Sequence, residues 1–290
     1  MSWERWVAVE ETKRTLCAMF IFSNLLLITF NITPGYVVDR DLCIDIPDHE
    51  SLWAATSVEE WDRLRQSLPS TPQQTVQSAV EYMIQPPPED DIEVREPPRM
   101  SGFTALVVMH AVNIYLWHLN QLSQSVSRVS LGIWPQENLR TALLHAASMT
   151  LERCQATLLA GKPDDGGRHE LYDPNHVYIF NCGAVLRVAY SRLLPLSHSF
   201  NRLVLLTKDD SVIRRAVKMY ARQPLERDKF VTKAAKLACN GFLGPVTIGA
   251  LLVSKTAALS WSIEQAIAGW DSGKPLQFTL RQTCWAHRIL

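Results

Sequence analysis

Three residues near the middle of the chain have the types that nucleophilic catalysis requires. Asp173, His176 and Cys182 lie close enough in sequence to suggest a nucleophile with its base. Asp173 precedes Pro174, however, a pair typical of a helix N-cap and first helical position, and Cys182 lies in an apolar run. This spacing gives no reason for the three side chains to converge. We therefore predict no catalytic residue.

The spacing of histidine and cysteine does not suit a metal site either. His110 and His118 fall about two turns apart on one predicted helix, too far apart to bind one ion, so we interpret them as core or rim residues. The six cysteines are scattered, without a C-x-x-C pair or the cysteine–histidine spacing of a zinc site. We predict no metal and no cofactor. Unpaired cysteines of this kind suit a reducing compartment.

Nucleotide-binding and hydrolase motifs are missing from the sequence. It contains no G-x-G-x-x-G, no G-x-x-x-x-G-K-[ST], no H-E-x-x-H and no G-x-S-x-G. Its 29 basic and 29 acidic residues cancel, whereas a chain that grips a nucleic-acid backbone by itself normally shows a basic excess. We therefore expect no direct nucleic-acid binding by this chain.

The most basic stretch of the chain is "SVIRRAVKMYARQPLERDK", residues 211–229, and it contains most of a helix predicted at residues 209–222. Four basic residues share its outer face, namely Arg214, Arg215, Lys218 and Arg222. Its inward stripe is predicted to consist of Val212, Ala216, Met219 and Tyr220. The basic face is either a solvated surface, with its charges suited to the C-terminal end of the helix dipole, or a patch for an acidic partner or nucleic acid.

Helical periodicity dominates the chain, and the alternation typical of strands is weak. A first helix is predicted from about Trp6 to Thr29, ended by the proline and glycine of "TPGY". Ser57 and Glu60 form an S-x-x-E capping box that begins a helix carrying Trp61. Further helices are predicted at residues 102–124, 136–160, 174–194, 209–222, 228–240, 245–270 and 276–288. The predicted fold class is all-α.

One apolar stretch, residues 16–32, resembles a membrane span in composition. It is barely long enough to cross a bilayer and contains Ser23, Asn24, Thr29 and Asn31. A buried central helix explains it better, so we predict that it lies in the protein core and that the chain has no membrane partner.

Residues 86–99 are predicted to be a linker or exposed loop. The stretch "PPPEDDIEVREPPR" combines prolines with charges and has few apolar residues. It divides the chain into a first helical block, residues 1–85, and a C-terminal helical region, residues 100–290, which we expect to pack on the first.

The N-terminal block resembles the second half of the fungal-specific transcription factor regulatory domain, also called the middle homology region. The resemblance covers "RWVAVEETKRTLCAMFIFSNLLLITFNITPGY" and "CIDIPDHESLWAATSVEEWDRL". The residues that match the family pattern are Trp6, Glu10, Arg14, Phe20, Pro34, Trp53 and Trp61. The resemblance implies that Trp53 and Trp61 pack the segment that follows the aromatic helix onto the core.

Two later segments carry the resemblance further. "YDPNHVYIFNCGAVLRVAYSRL" and "ALSWSIEQAIAGWDSGKPL" are similar to the C-terminal helical part of the subgroup whose DNA-binding module is a pair of two-cysteine, two-histidine zinc fingers. That module and the first half of the regulatory block are not in these 290 residues. The resemblance therefore implies the C-terminal part of a fungal zinc-finger regulator, here without its DNA-binding module.

This family implies a function in the nucleus, in transcription regulation. The chain would act through protein partners of the transcription machinery or through self-association, together with a small effector of unknown class. The alternative is a helical scaffold or partner-binding protein without a transcriptional role. An enzyme and an integral membrane protein are the weaker interpretations, since neither converging polar residues nor a lipid-facing segment is predicted.

Overall fold

Helices make up nearly all the regular structure of this protein. A computed structural model describes residues 2–68, 74–85, 98, 100–128, 136–160, 174–194, 200–226, 228–248, 262–273 and 275–276. Within these residues no β-strand forms, and a single bridge joins Asp45 to Thr75. The predicted all-α fold class is confirmed.

Ten α-helices of the described residues follow one another along the chain. They are α1 (Trp3–Phe30), α2 (Val38–Asp41), α3 (Glu50–Trp53), α4 (Val58–Ser67), α5 (Val76–Ile84), α6 (Gly102–Arg128), α7 (Gln136–Ala160), α8 (Pro174–Arg192), α9 (Asp210–Arg222) and α10 (Lys229–Ile248). A short 3-10 helix (Arg202–Leu206) precedes α9, and residues 263–273 form a further helix, α11.

Several helix boundaries agree with the local signals in the sequence. α8 begins at Pro174, and α9 begins directly after Asp209, whose side chain caps it. The helix predicted at 245–270 is different, because residues 245–248 belong to α10 and α11 begins at 263. Three predicted features lie outside the described residues, apart from residues 98 and 276. They are the N-cap Asp173, the linker 86–99 and the helix 276–288.

The capping box predicted at α4 forms only in part. The Ser57 hydroxyl accepts a hydrogen bond from the backbone N–H of Glu60 at 3.2 Å, as expected. The Glu60 carboxylate instead accepts from the backbone N–H of Thr56 at 2.9 Å. A complete box caps α5, where Thr75 and Ser78 each accept a hydrogen bond from the other's backbone N–H at 3.1 Å.

The apolar stretch in α1 is not buried on all sides, contrary to prediction. Cys17, Phe20 and Asn24 are fully buried, but the opposite face is open to solvent. The exposed apolar side chains are Leu16, Met19 and Phe22, at 42%, 49% and 62%. The segment is apolar around its whole circumference, so its composition could not show that only one face has a packing partner.

Among the described residues, two helices are long and apolar enough to cross a membrane by length and composition alone. They are α1 and residues Gly102–Ser123 of α6. A core helix of a soluble protein passes the same test, and the α6 segment is 72% buried inside the protein. Length and apolarity therefore do not assign either helix to a bilayer.

The chain divides into two compact units. The first contains Met1–Asn24, Pro34–Tyr115 and Met149–Cys182, and the second contains Leu25–Thr33, Leu116–Ser148 and Gly183–Leu290. A cluster around Trp6, Leu52 and Trp61 lies in the core of the first. In the second, residues of α1, α8 and α11 pack together, namely Ile28, Ala184, Val188, Ile267 and Ala268. The division at residues 86–99 stays a prediction.

Candidate functional site

The tryptophans of the family pattern lie together in the first unit. The ring centroids of Trp6 and Trp61 are 5.5 Å apart, and those of Trp6 and Trp53 are 6.5 Å apart. Trp61 is only 2% exposed, whereas Trp53 is 41% exposed. Trp61 is therefore a core residue, and Trp53 covers one side of the cluster.

A buried carboxylate connects this cluster to the charged residues of α1. Glu10 is fully buried and accepts hydrogen bonds from Arg14 Nε at 2.8 Å and from the backbone N–H of Asp48 at 2.9 Å. Lys13 Nζ lies 2.7 Å from the same carboxylate. The Arg14 guanidinium also stacks over the Trp53 ring, 5.0 Å from its centroid.

The remaining family-pattern residues, Phe20 and Pro34, are not part of this cluster. Phe20 is fully buried and packs edge-on against Tyr36 at 6.1 Å. Pro34 lies half-buried in the turn after α1. The structure thus brings together Trp6, Glu10, Arg14, Trp53 and Trp61. Within this group Glu10 pairs with Arg14, and the Trp6 indole donates to Asp48 at 2.6 Å. Such an arrangement anchors helices and offers no reactive group to a substrate.

Of the residues considered as chemical groups, His110 and Cys182 are fully buried, whereas His118 is exposed. His110 is fully buried, and its Nδ1 accepts a hydrogen bond from Asn24 Nδ2 at 2.6 Å. Burial raises the pKa of the Cys17 and Cys154 thiols to about 12 in each case, so neither is a nucleophile at neutral pH. In the part of the chain that the structure describes, no group of three or more potential ligands could hold a metal ion.

The basic residues predicted on α9 are exposed in the second unit. Arg214, Arg215, Lys218 and Arg222 all face solvent. Among the residues with described positions, none of the four forms an ion pair with an acidic side chain. No described acidic side chain therefore neutralises the basic face.

The inward face of α9 differs from the predicted one. The less exposed apolar residues of α9 are Ile213, Ala216, Val217, Tyr220 and Ala221. Val212 and Met219 were predicted to point inward, but they are 38% and 65% exposed. The prediction was wrong because two apolar stripes overlap on this short helix, and only its neighbours decide which stripe is covered.

These exposed side chains form one continuous face, which we call the α9 surface. It consists of Val212, Arg214, Arg215, Lys218, Met219 and Arg222. The 3-10 helix packs against α9 and adds two exposed leucines in the same region of the chain, Leu203 and Leu206. Basic and apolar side chains thus occur together on an accessible surface.

The N-terminal end of α9 is held by Asp209. Its carboxylate accepts hydrogen bonds from the Ser211 hydroxyl at 2.7 Å and from the backbone N–H groups of Ser211 and Val212 at 2.8 and 3.4 Å. These bonds favour the charged form and lower the pKa of Asp209. The cap satisfies backbone donors that would otherwise have no partner in the first turn.

A buried ionic cluster holds the 3-10 helix that packs against α9. The Asp271 carboxylate accepts from Arg192 Nε at 2.9 Å and from the guanidinium of Arg202. Both arginines also donate to the backbone carbonyl of Ile28, in the last turn of α1. Burial lowers the pKa of Arg202, and the nearby Asp271 carboxylate opposes that shift. Its described residues comprise two cations and one carboxylate, and the partial negative charge at the C-terminal end of α1 contributes to the charge balance.

Aromatic contacts attach α9 to the same framework. The Phe200 ring lies 5.3 Å from Tyr220 of α9 and 6.1 Å from Trp270 of α11. Burial and the neighbouring Asp271 carboxylate raise the pKa of the Tyr220 hydroxyl, so it stays neutral at physiological pH. The α9 surface is therefore held by these packed aromatic rings and by the buried cluster of Arg192, Arg202 and Asp271, which together we call its support.

Sequence reasoning missed this support. Arg202 and Asp271 are 69 residues apart, and Arg192 and Asp271 are 79 residues apart. The one available signal was that Arg202 and Asp271 both stand within otherwise apolar runs, "SFNRLVLL" and "AIAGWDSG". Charged residues are seldom fully buried unless they are paired.

Comparison with known proteins identifies the segment that contains this site. Residues 198–276 match the family described as the fungal transcription factor C-terminal domain. No curated protein and no solved structure matches the chain significantly. The matched residues include α9 with its surface, the 3-10 helix and Asp271, and the match agrees with the predicted resemblance to a fungal transcription factor. Residues 198–276 are therefore similar to a fungal transcription factor C-terminal domain, and this similarity suggests a role in transcription regulation.

Proposed function

We propose that this chain is the regulatory portion of a fungal transcription factor and acts in the nucleus through protein contacts made by the α9 surface. The observation that carries the proposal is an exposed face of basic and apolar side chains, within residues 198–276, that has no acidic partner among the described residues. The chain regulates by binding rather than by catalysis.

The side chains of the α9 surface suit a protein interface. Arginine and methionine are enriched at protein–protein interfaces, and Met219 is 65% exposed here. The support beneath the surface is already packed, so little ordering is required when a partner binds. A preformed surface with large exposed side chains is more typical of a protein-binding site than of a helix face that only contacts water.

The charge of the chain supports regulation without DNA binding of its own. Its basic and acidic residues are equal in number, at 29 each. Asp209 and Asp210 are exposed at the N-terminal end of α9, and their negative charges would repel the phosphate backbone of DNA bound at the basic face. Contact with DNA would instead be supplied by another module or another protein.

The proposal is tested by fusing the full chain to a heterologous DNA-binding module and measuring a reporter gene in a fungal cell. We expect reporter expression to differ from that produced by the module alone. The double substitution V212S/M219S should remove this difference, because it deletes the apolar contacts of the α9 surface without altering buried residues.

The matched control is M149S/I263S, which changes two comparably exposed apolar side chains outside the α9 surface. It should regulate like the unmodified chain. If V212S/M219S has wild-type abundance, melting temperature and reporter activity, the α9 surface does not make the regulatory contact. If the unmodified fusion has no effect on the reporter, the regulatory function itself is wrong.

A further inference from the structure

We propose that the α9 surface binds an acidic amphipathic helix supplied by a partner protein. The inference rests on the proposed function, in which the chain acts through protein contacts, and it adds the chemical class of the partner. It follows from the charge, the spacing and the exposure of the side chains on this one face.

The basic side chains form a continuous row. Arg214, Lys218 and Arg222 follow one another at intervals of four residues, and Arg215 lies beside them. Like charges at this spacing destabilise a helix, and no described acidic side chain pairs with them. A partner with carboxylates at the same spacing would neutralise the row and remove its internal repulsion.

An apolar edge runs along one side of the basic row. Val212 and Met219 are seven residues apart, so they lie on nearly the same side of α9, and both are exposed. A ligand that only supplied charge would leave this edge in water. The complementary ligand therefore carries large apolar side chains beside its acidic ones, as an amphipathic helix does at i, i+3, i+4 and i+7.

Other occupants fit this face less well. In a symmetric pair with a second copy, the same patch lies on both sides, so the two basic rows would face each other. Duplex DNA would meet Asp209 and Asp210 at the end of α9, and it would offer nothing to Val212 and Met219. An acidic peptide satisfies both the charges and the apolar edge.

The test uses the full chain and a short fluorescein-labelled helical peptide with glutamate at every fourth position beside a row of leucines. Fluorescence anisotropy should show binding that weakens as salt is raised, because the contact depends on exposed charges. Replacing the glutamates by glutamine should weaken binding about tenfold or more, and so should replacing the leucines by alanine.

The variant R214E/K218E/R222E reverses the basic row and should lose at least about tenfold in affinity for the glutamate peptide. The matched control R5E/R63E/K236E makes the same change in total charge at three exposed basic residues elsewhere in the chain. It should bind the peptide like the unmodified chain. Melting temperatures of both variants verify that the fold is retained.

Several results would overturn the inference. The inference is wrong if the glutamate peptide does not bind, if its glutamine version binds equally well, or if the charge-reversed variant binds the glutamate peptide like the unmodified chain. It is also wrong if the chain binds duplex DNA or phosphatidylserine vesicles more tightly than it binds the glutamate peptide. The reporter fusion separates this failure from failure of the proposed function. If the peptide does not bind but V212S/M219S still abolishes regulation, only the partner's chemistry is wrong.

Discussion

Arg202 donates from its guanidinium to the carboxylate of Asp271, although the two residues lie 69 positions apart in the chain. Both side chains are buried, at 6% exposure or less. Arg202 begins the 3-10 helix that packs on α9, and Asp271 follows Trp270 on α11. This ion pair therefore joins the two ends of the segment that matches the fungal transcription factor C-terminal domain, and it supports the face that we propose as the contact site.

Removing the carboxylate of this pair should destabilise the protein strongly. We expect Asp271→Ala to lower the free energy of unfolding by about 3–5 kcal/mol, because it leaves Arg192 and Arg202 buried without their counter-ion. Urea unfolding followed by circular dichroism measures the change. The control Asp62→Ala alters an exposed residue of α4 and should change stability by less than about 0.5 kcal/mol. Equal effects of the two substitutions would contradict the role of the cluster.

The two tryptophans that follow α1 should differ in their contribution to stability. Trp61→Ala should cost about 3–5 kcal/mol, since it empties a fully enclosed position. Trp53→Ala should cost about 1 kcal/mol, because its ring is partly exposed and loses mainly its cation–π contact with Arg14.

Trp61→Phe is the matched control for the first of these substitutions. It keeps an aromatic ring and removes an indole N–H that has no hydrogen-bond partner among the described residues. It should therefore cost clearly less than the alanine variant. If Trp53→Ala has a melting temperature as low as that of Trp61→Ala, the exposed fraction of each tryptophan does not predict its contribution to stability.

Thiol labelling should distinguish the cysteines by burial. In the native chain at pH 8, Cys43 should react first, while Cys17 and Cys154 stay protected by burial and by thiol pKa values of about 12. Mass spectrometry of the labelled peptides measures the order, and the urea-denatured chain, in which all three should react, is the control.

The raised pKa values of the Cys17 and Cys154 thiols should make folding stability depend on pH in the alkaline range. The pKa of each thiol is about 9 in the unfolded chain and about 12 in the folded chain. Below pH 9 the thiols are protonated in both the folded and the unfolded chain, so their full contribution to folding stability is present. As the pH rises above 9, only the unfolded state loses its protons, so folding stability should fall. Replacing Cys17 by alanine should reduce that slope, and an unchanged slope would contradict the raised pKa.

Gly241 of α10 should tolerate a side chain only when Arg187 is removed. A Cβ at this position would lie 2.7 Å from Arg187 Nε, so Gly241→Ala should displace the arginine from its 2.7 Å hydrogen bond to Gln265. That loss, about 1.5–3 kcal/mol for a charged hydrogen bond, exceeds the gain of about 1 kcal/mol in helix propensity. The substitution should therefore destabilise the native chain.

In an Arg187→Met background the sign of the effect should reverse. The guanidinium is then absent, the helix propensity gain remains, and Gly241→Ala should stabilise by up to about 1 kcal/mol. A double-mutant cycle in urea measures this coupling. Equal effects of Gly241→Ala in both backgrounds would show that the close approach of Arg187 does not restrict position 241.

The helical class of the protein and several helix ends could be predicted from the sequence, because they depend on interactions between near neighbours. Pro174 begins α8, and Asp209 caps α9 through its own next backbone N–H groups. Such contacts span three or four residues and need no tertiary partner. The resemblance of the residues around Trp6 and Trp61 to the family pattern could also be recognised from the sequence alone.

Which helix faces are covered was decided only by the tertiary structure. Glu10 is fully buried between Arg14 and Lys13, although charge alone would place it in solvent, while Phe22 of the same helix is exposed. On α9, Met219 is exposed and Ile213 is not. A helix that carries apolar residues on more than one side can pack either way, and the free energy of burial depends on neighbours far away in the chain. The pairing of Arg202 with Asp271 has the same origin, since burying either charge is favourable only when the fold brings the other beside it.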